Sequence, residues 1–445
     1  MASWYINPGL GSGTNAGTSW ANAFDNMATA WADAIAASSA GDDFYVNSAS
    51  TCTNTTTQTL TFKGTAASPN RIFSCSTITH NPPLTADLGA GAAFTSTGAV
   101  SINLAGCFYM YGCNINVGSA SNSCTINPGS ANATVDQYYD TCQFNINGNN
   151  AGSGVQLGSG SIAQTQRFTW FNTTVSFAGA GNSGIQFYGC EFRWLKTPTA
   201  FGGTAPNTLS PAEAAERTCF VLMDGVDISA LSTKTIFGSV TQGLNAQLIN
   251  CKLPASITLV SGALVGQTYD FINCASSGIA YNQTRVTYQG TLTASTTVTN
   301  GATDGTTPIS WQVVSTANAK PQSPFECFEI AQWVPAGTYA STTIIATSAT
   351  GALTTDDIWA DCYYMASAAT PQASVVTSGT ATRIPAGSSP AALATGATWA
   401  VGGLGTNYTL AIPSFTTALA GIVRFKVYVG KASLTINIDP KANDA

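Results

Sequence analysis

Charge is what this chain has least of. Asp, Glu, Lys and Arg make up 8% of its 445 residues, and the formal net charge is −6. No basic block occurs, which sets nucleic acid aside as a partner. His80 is the only histidine, it has no Cys-spaced partners, and no CxxC pair is present, so no zinc site is expected. No Gly-rich phosphate loop, GxSxG or zincin motif occurs, and no cofactor is expected. No apolar run reaches about 18 residues, so neither a transmembrane helix nor a membrane partner is expected. The start, Met1-Ala2-Ser3-Trp4-Tyr5, has no basic region followed by an apolar run, and no signal peptide is expected. Scarce charge does not mean disorder, because 44% of the chain is hydrophobic and 10% aromatic.

What the chain does have is a recurring phrase between about residues 107 and 275. It reads Tyr111-Gly112-Cys113-Asn114-Ile115, then Asp140-Thr141-Cys142-Gln143-Phe144, then Phe171-Asn172-Thr173-Thr174-Val175. It returns as Tyr188-Gly189-Cys190-Glu191-Phe192, Ile249-Asn250-Cys251-Lys252-Leu253 and Ile272-Asn273-Cys274-Ala275-Ser276. Cys113 to Cys142 is 29 residues and Cys251 to Cys274 is 23. Self-similarity at roughly 20 to 50 residues points to a solenoid. Aromatic and branched residues at alternate places suit strands, and a small Cys suits an inward stacking position. Each phrase is expected to belong to one coil of a parallel β-solenoid. Several of the twelve cysteines hold equivalent repeat places, so they are read as reduced, buried thiols.

Residues 8–18 are rich in Gly, Ser and Thr and form a lead-in. Ser19 is placed to cap a helix from Trp20, with Phe24, Met27, Ala28, Trp31 and Ile35 on one stripe and Gly41 at its end. The strand Asp43-Phe44-Tyr45-Val46 follows. A solenoid has an open end with exposed strand edges, and this amphipathic helix is expected to cover it. The run Gly17-Thr18-Ser19-Trp20-Ala21-Asn22-Ala23-Phe24, the Ala-rich helix and Gly41-Asp42-Asp43-Phe44-Tyr45-Val46 resemble the opening of right-handed parallel β-helix proteins of the pectin-lyase-like class. That class includes many phage tailspikes and other virion proteins. The resemblance covers residues 13–48 strongly and the coils to about 283 more loosely. It implies a helix that caps the first coil and a Gly-Asp step into the first strand.

The expected fold is therefore all-β: a right-handed parallel β-helix with an N-terminal capping helix, followed by an antiparallel β-sandwich. Three parts are expected: residues 1–48 as lead-in, cap and first strand, 49–283 as β-helix, and 284–445 as a jelly-roll-like sandwich. Residues 49–106 read as irregular first coils and 107–195 as regular ones. An insertion is expected at 196–218, with a short helix signalled by Ser210-Pro211-Ala212-Glu213. Past residue 284 the strands lengthen and alternate with Thr. Trp333-Val334-Pro335-Ala336-Gly337-Thr338-Tyr339 and Leu434-Thr435-Ile436-Asn437-Ile438-Asp439-Pro440 resemble jelly-roll modules appended to phage β-helices.

Chemistry has few candidates. Asp136, Asp140, Glu191, Arg193, Asp224 and Asp227 are the charged residues along the coils that polysaccharide cleavage would need. Glu191 and Arg193, two apart on one strand, read as a surface ion pair, and Asp224 and Asp227 flank a turn at Gly225. Asp140 and Glu191 are placed differently in the phrase, against a shared catalytic face. His80 lies in a loop before Asn81-Pro82-Pro83. Asp356, Asp357 and Asp361 cluster without EF-hand spacing and read as solvated rather than as a calcium site. Trp311, Trp333, Trp359 and Trp399 read as core rather than sugar-stacking residues. Asn54, Asn132, Asn172, Asn282 and Asn407 match the N-x-[ST] pattern, as an Asn/Thr-rich chain does by chance. No catalytic, cofactor-binding or metal residue is assigned. The expected protein is a non-enzymatic phage virion protein on the particle exterior, first a head decoration or spike on the major capsid protein or another virion protein. The alternative is a tailspike or fibre that binds or cleaves host polysaccharide. A homotrimer is expected, with a host surface glycan as a further partner. With so little charge, stability is expected to vary little from about pH 5 to 9.

Overall fold

The computed structural model describes residues 1–130, 133–159, 166–179 and 184–205, and beyond them 209–211, 219–231, 235–237, 244–254, 258–260, 268–276, 279–281, 284–287, 296–301, 310–315, 325–339, 342–348, 358–366, 373–374, 399–400, 407–412, 415–417, 421–429 and 435–439. The chain divides into two units, Met1–Thr235 and Ile236–Ala445.

The first unit is a parallel β-helix of three stacked sheets. One coil places Val135–Asp140 in the first sheet, Gln143–Ile146 in the second and Gly154–Leu157 in the third. The next coil repeats this with Gln166–Phe171, Thr174–Phe177 and Gly184–Phe187, paired parallel and in register on the coil before. Alternation in each strand sends every second side chain inward. In the first sheet this makes the column Phe44, Ile72, Met110, Tyr139, Trp170, Trp194 and Met223, aligned by register from coil to coil. All seven are buried. Within it the Trp170 and Trp194 rings meet edge to face at 5.3 Å and 84°.

The repeating phrase marks the corner between the first and second sheets. Each corner turns on one residue in the left-handed region: Gly112 (φ 69°), Thr141 (53°), Asn172 (46°), Lys196 (49°) and Gly225 (67°). The residue after it points inward, and at four of the five corners, all but Val226, it donates to the carbonyl two places back. Cys113 does so to Tyr111 at 3.5 Å, Cys142 to Asp140 at 3.4 Å, Thr173 to Phe171 and Thr197 to Leu195 at 3.1 Å each. Cys and Thr therefore interchange here because both are small buried donors. Tyr188-Gly189-Cys190 breaks the expected equivalence. Gly189 also has positive φ, at 61°, but this triplet leads into the first-sheet strand Glu191–Leu195 rather than out of one. The ten cysteines whose side chains are described are all buried and none is in a disulfide, Cys113, Cys142 and Cys190 among them.

Three sequence expectations change. The helix does not begin at Trp20: Trp20–Asn22 is a single short turn, and the α-helix runs Ala30–Ala37. Phe24 instead bridges to Ile6 of the strand Ser3–Ile6, which pairs with Asp43–Asn47 as the first rung of the first sheet. Trp31 of the helix packs on Phe94 at 5.7 Å, while Met27 is exposed. Ser38 closes the helix, donating to the Ala34 and Ile35 carbonyls, and Lys63 Nζ donates to the carbonyls of Ala36 and Ser38. Secondly, the early coils are more regular than expected. Thr51–Asn54 and Ala92–Ser96 are second-sheet strands, and the longest irregular stretch is the loop at 76–91. Thirdly, Leu209–Pro211 is a third-sheet strand paired with Ile185–Phe187, so Ser210 and Pro211 do not start a helix. Stacking on the previous coil overrides the local helix signal. Residues 212–218 lie outside the described residues.

In the second unit, Leu244–Ile249 and Thr268–Ile272 pair parallel, and the left-handed corner recurs at Asn250 and Asn273. Later strands pair antiparallel: Phe325–Val334 with Gly421–Val429, Ile358–Ala366 with Gly421–Val429, and Thr342–Ser348 with Asn407–Ile412.

Candidate functional site

Charge on the strands of the β-helix unit is segregated by sheet. The first-sheet strands carry Asp43, Arg71, Asp136, Asp140, Arg167, Glu191, Arg193 and Asp224. The second- and third-sheet strands described up to residue 211 carry no charged residue at all. Outward places on those two sheets hold amides and hydroxyls instead.

The sequence candidates Asp136, Asp140, Glu191, Arg193 and Asp224 thus share the first sheet, where sequence reading had argued against a shared face for Asp140 and Glu191. Sharing a sheet does not make them a catalytic pair. Asp136 and Asp140 lie four residues apart on one strand, about 13 Å. Asp140 pairs through Phe171 to Leu195, and Leu195 is four residues past Glu191, so those carboxylates are two coils and one strand length apart, roughly 16 Å. Glycosidase carboxylates stand about 5 to 9.5 Å apart. Asp136 and Glu191 are two coils apart in one column, but Arg167 stands between them and its Nε holds Glu191 at 2.9 Å. This replaces the Glu191–Arg193 pair expected from sequence. The remaining candidates have structural partners. Asp140 accepts from the Tyr109 hydroxyl at 2.7 Å and the Thr141 hydroxyl at 2.9 Å. Lys196 Nζ reaches Asp224 at 3.3 Å, and Asp227 accepts from the Ser229 amide and hydroxyl. His80 bonds buried Asp87 at 2.8 Å, and its carbonyl accepts the Trp20 indole N–H, which fastens the 76–91 loop to the N-terminal turn. Asp356 and Asp357 lie outside the described residues, as do the side chains of Asp361, Trp311, Trp333, Trp359 and Trp399.

An aromatic line also runs along the outer side of the first sheet. Tyr45 and Phe73 stack at 5.8 Å and 21°, and Tyr109 and Tyr138 at 5.4 Å and 30°. Their ring faces cover one another, so stacking within the protein uses the surfaces that a sugar would need.

The third sheet offers a groove. It has a volume of about 580 Å³ and is lined by Thr59, Thr61, Asn103, Asn127, Gln156 and Tyr188, with Ala105, Ser130, Gly158 and Ser159. Register stacks Thr59 on Asn103 and Asn103 on Asn127, and Gln156 on Gln186. Asn127 Nδ2 donates to Asn103 Oδ1 at 2.8 Å, and Asn103 Nδ2 to the Thr59 hydroxyl at 3.1 Å. Gln156 Nε2 donates the other way along the stack, to Gln186 Oε1 at 3.0 Å. The ladder reverses between Asn127 and Gln156, and Asn127 Oδ1 is left without a donor. The Tyr188 hydroxyl donates to Gln186 Oε1 at 3.4 Å. Burial raises the Tyr188 phenol, which keeps it a neutral donor. A polar, uncharged, pre-aligned trough of this kind can hydrogen-bond a chain rich in hydroxyls, and it holds no acid or base for cleavage.

Sequence reading missed this site because it looked for charge. The available signal was the set of polar residues at alternate places in Thr59-Leu60-Thr61, Ile102-Asn103-Leu104 and Ile126-Asn127-Pro128, with Asn103 and Asn127 24 residues apart.

No family model and no curated protein matches this chain. Among solved structures it is similar to the enzymatically active domain of tailspike protein 4 from bacteriophage CBA120, at 12% identity and a TM-score of 0.22, over 89% of this chain and 63% of that one. The chain thus spans less than two thirds of that protein's length. It is also similar to the tailspike protein of Acinetobacter phage vB_ApiP_P1, at 12% identity and a TM-score of 0.19, over 88% of this chain and 82% of that one.

Proposed function

We propose that this chain is a structural protein of a phage virion, of the tailspike kind, which binds a bacterial surface polysaccharide along its third-sheet groove and does not cut it. The observation that carries this reading is the segregation of charge: a neutral amide-hydroxyl groove on one sheet, and every strand carboxylate of the helical unit on another. The phage setting rests on the resemblance of residues 13–48 to the opening of virion β-helices. With it come a right-handed coil, Ala30–Ala37 as the cap of the first coils, a sandwich-like C-terminal part, a homotrimer and exposure on the particle exterior. Head decoration, the first reading of the sequence, accounts for the scarcity of carboxylates but gives the groove no task.

The test is retention of purified protein on the surface polysaccharide of the host, with reducing ends and unsaturated products assayed in parallel. Binding without new ends is expected, and binding should weaken in Asn103→Ala and Gln156→Ala. Cleavage that is abolished by Asp140→Asn or Glu191→Gln overturns the non-enzymatic part. Absence of retention overturns the binding part and returns head decoration to first place.

A further inference from the structure

The groove also constrains what it can hold. We infer that its ligand is an uncharged polysaccharide, lying with its chain along the stacking axis of the coils. This rests on the reading of the groove as a glycan site and narrows it to a class.

The lining supplies hydroxyls, carboxamides, one phenol and backbone, and no Asp, Glu, Lys, Arg or His. A carboxylate, sulfate or phosphate brought into it would lose water and gain no countercharge, which is how a site rejects an ionic competitor. Lys63, two residues past Thr61, cannot serve, because its ammonium is committed to the Ala36 and Ser38 carbonyls at 2.7 and 2.8 Å. The net charge of −6 adds a weak repulsion toward polyanions. A carboxamide both donates and accepts, and so does a sugar hydroxyl, so a neutral glycan finds partners whichever way each hydroxyl points.

The orientation follows from the ladder. Thr59, Asn103, Asn127 and Gln156 come from four successive coils, so the polar line runs along the axis for three spacings, about 14 Å. Hydrogen bonds between neighbouring rungs hold these side chains in place before a ligand arrives, which lowers the ordering cost of binding.

The experiment uses the full chain and measures binding to neutral polysaccharides (dextran, mannan, galactan) and acidic ones (alginate, hyaluronan, polysialic acid) at 20 and 500 mM NaCl, followed by oligosaccharides of increasing length from the best binder. At least one neutral glycan should bind with an affinity that changes less than twofold with salt, and the acidic set should not bind. Affinity should rise with length until the ladder is spanned. Asn103→Ala and Gln156→Ala, in different coils, should each weaken the long oligosaccharide about five- to tenfold, with unchanged circular dichroism spectra and a cooperative melt showing that both variants fold. Gln156→Lys should lose neutral binding and gain salt-sensitive binding of acidic glycans. An acidic glycan bound by the natural chain and lost in Asn103→Ala overturns the inference and leaves the glycan site standing. Affinity that stops rising at two sugar units overturns the orientation. Binding of neither class overturns both the inference and the reading beneath it.

Discussion

Asn172 follows Thr141 by one coil at the same corner, and its carboxamide donates to the Thr141 hydroxyl across 3.4 Å. Both residues lie in the left-handed region, at φ 46° and 53°. Asn tolerates that region, whereas a β-branched residue is strained there. The same corner in the second unit uses Asn twice, with Asn273 Nδ2 donating to Asn250 Oδ1 at 2.7 Å. Thr141→Asn should therefore stabilise the protein by about 1 kcal/mol. Gly112→Val should destabilise it by more than ~2 kcal/mol, because a Cβ there would lie 2.9 Å from the Ala90 Cα and φ is +69°. Urea unfolding of the two variants checks both signs, and a loss of stability in Thr141→Asn would refute the corner argument.

Trp170 and Trp194 occupy one inward column but differ in one hydrogen bond. Trp194 Nε1 donates to the Thr173 carbonyl at 2.9 Å, while Trp170 Nε1 is buried without a partner. Trp170→Phe should consequently cost less than Trp194→Phe, by about 1 kcal/mol. Trp170→Ala should cost ~3–5 kcal/mol through the cavity it leaves. Denaturant midpoints of the three variants measure the order, and equal costs for the two Phe variants would remove the hydrogen bond from the account.

The cysteines should be silent in the native state. Ten of the twelve are buried and outside any disulfide, and the side chains of the other two, Cys327 and Cys362, lie outside what is described. Burial raises Cys52 to about 11 and Cys75 and Cys142 to about 12, and pushes Cys113 and Cys190 well up. An aromatic disulfide reagent should react with two thiols at most before unfolding and with twelve after it. Dithiothreitol should leave the melting temperature unchanged, since loss of a native disulfide typically costs about 2–5 kcal/mol. Rapid native labelling of more than two thiols would contradict the burial described here.

These thiols also set a limit on the alkaline side that scarce charge does not suggest. Eight cysteines have raised folded values, with desolvation the first cause in each. In the unfolded chain each ionises near 8.5. A group whose folded value is raised gives its stability in full below the unfolded value and loses it as pH rises beyond that point. Stability should hold to about pH 8 and fall as pH rises beyond it, most of the loss coming from Cys52, Cys75, Cys113, Cys142 and Cys190, the thiols raised furthest. The flat range expected from charge content should thus end on the alkaline side before pH 9. Melting temperatures from pH 6 to 10 test this, and a level profile through pH 9.5 would mean that the thiols ionise in place.

Acid acts at one named point. Burial works against the charged form of Asp42, but hydrogen bonds from the Ala2 amide, the Trp4 indole and the Ser39 amide outweigh it and lower its value. A lowered carboxylate gives its stability above the unfolded value, near 3.9, and loses it as pH falls below that. Amide exchange in Ser3–Ile6 should speed up below about pH 4, and Asp42→Asn should show fast exchange at every pH. Protection unchanged at pH 3 would place the anchor of that strand elsewhere.

Much of this protein was settled by its sequence. Alternating apolar residues made the strands, the phrase spacing made the coils, and a small Cys, Thr or Val after a left-handed residue had to point inward at the corners. Period-two alternation also fixed which side chains face out, because a strand sends neighbours to opposite sides whatever lies beside it. What sequence did not contain is adjacency across coils. Tyr111-Gly112-Cys113 and Tyr188-Gly189-Cys190 read alike yet turn different corners. Glu191 meets Arg167, 24 residues away, and not Arg193 two places on. Thr59, Asn103, Asn127 and Gln156 form one line only because coils of unequal length bring them into register. That register is chosen by the fit of the buried columns, Trp170 on Trp194 and Ile126 on Val155, and a one-residue slip would turn every core side chain to water. The core thus decides which outward residues become neighbours, and the groove is the consequence.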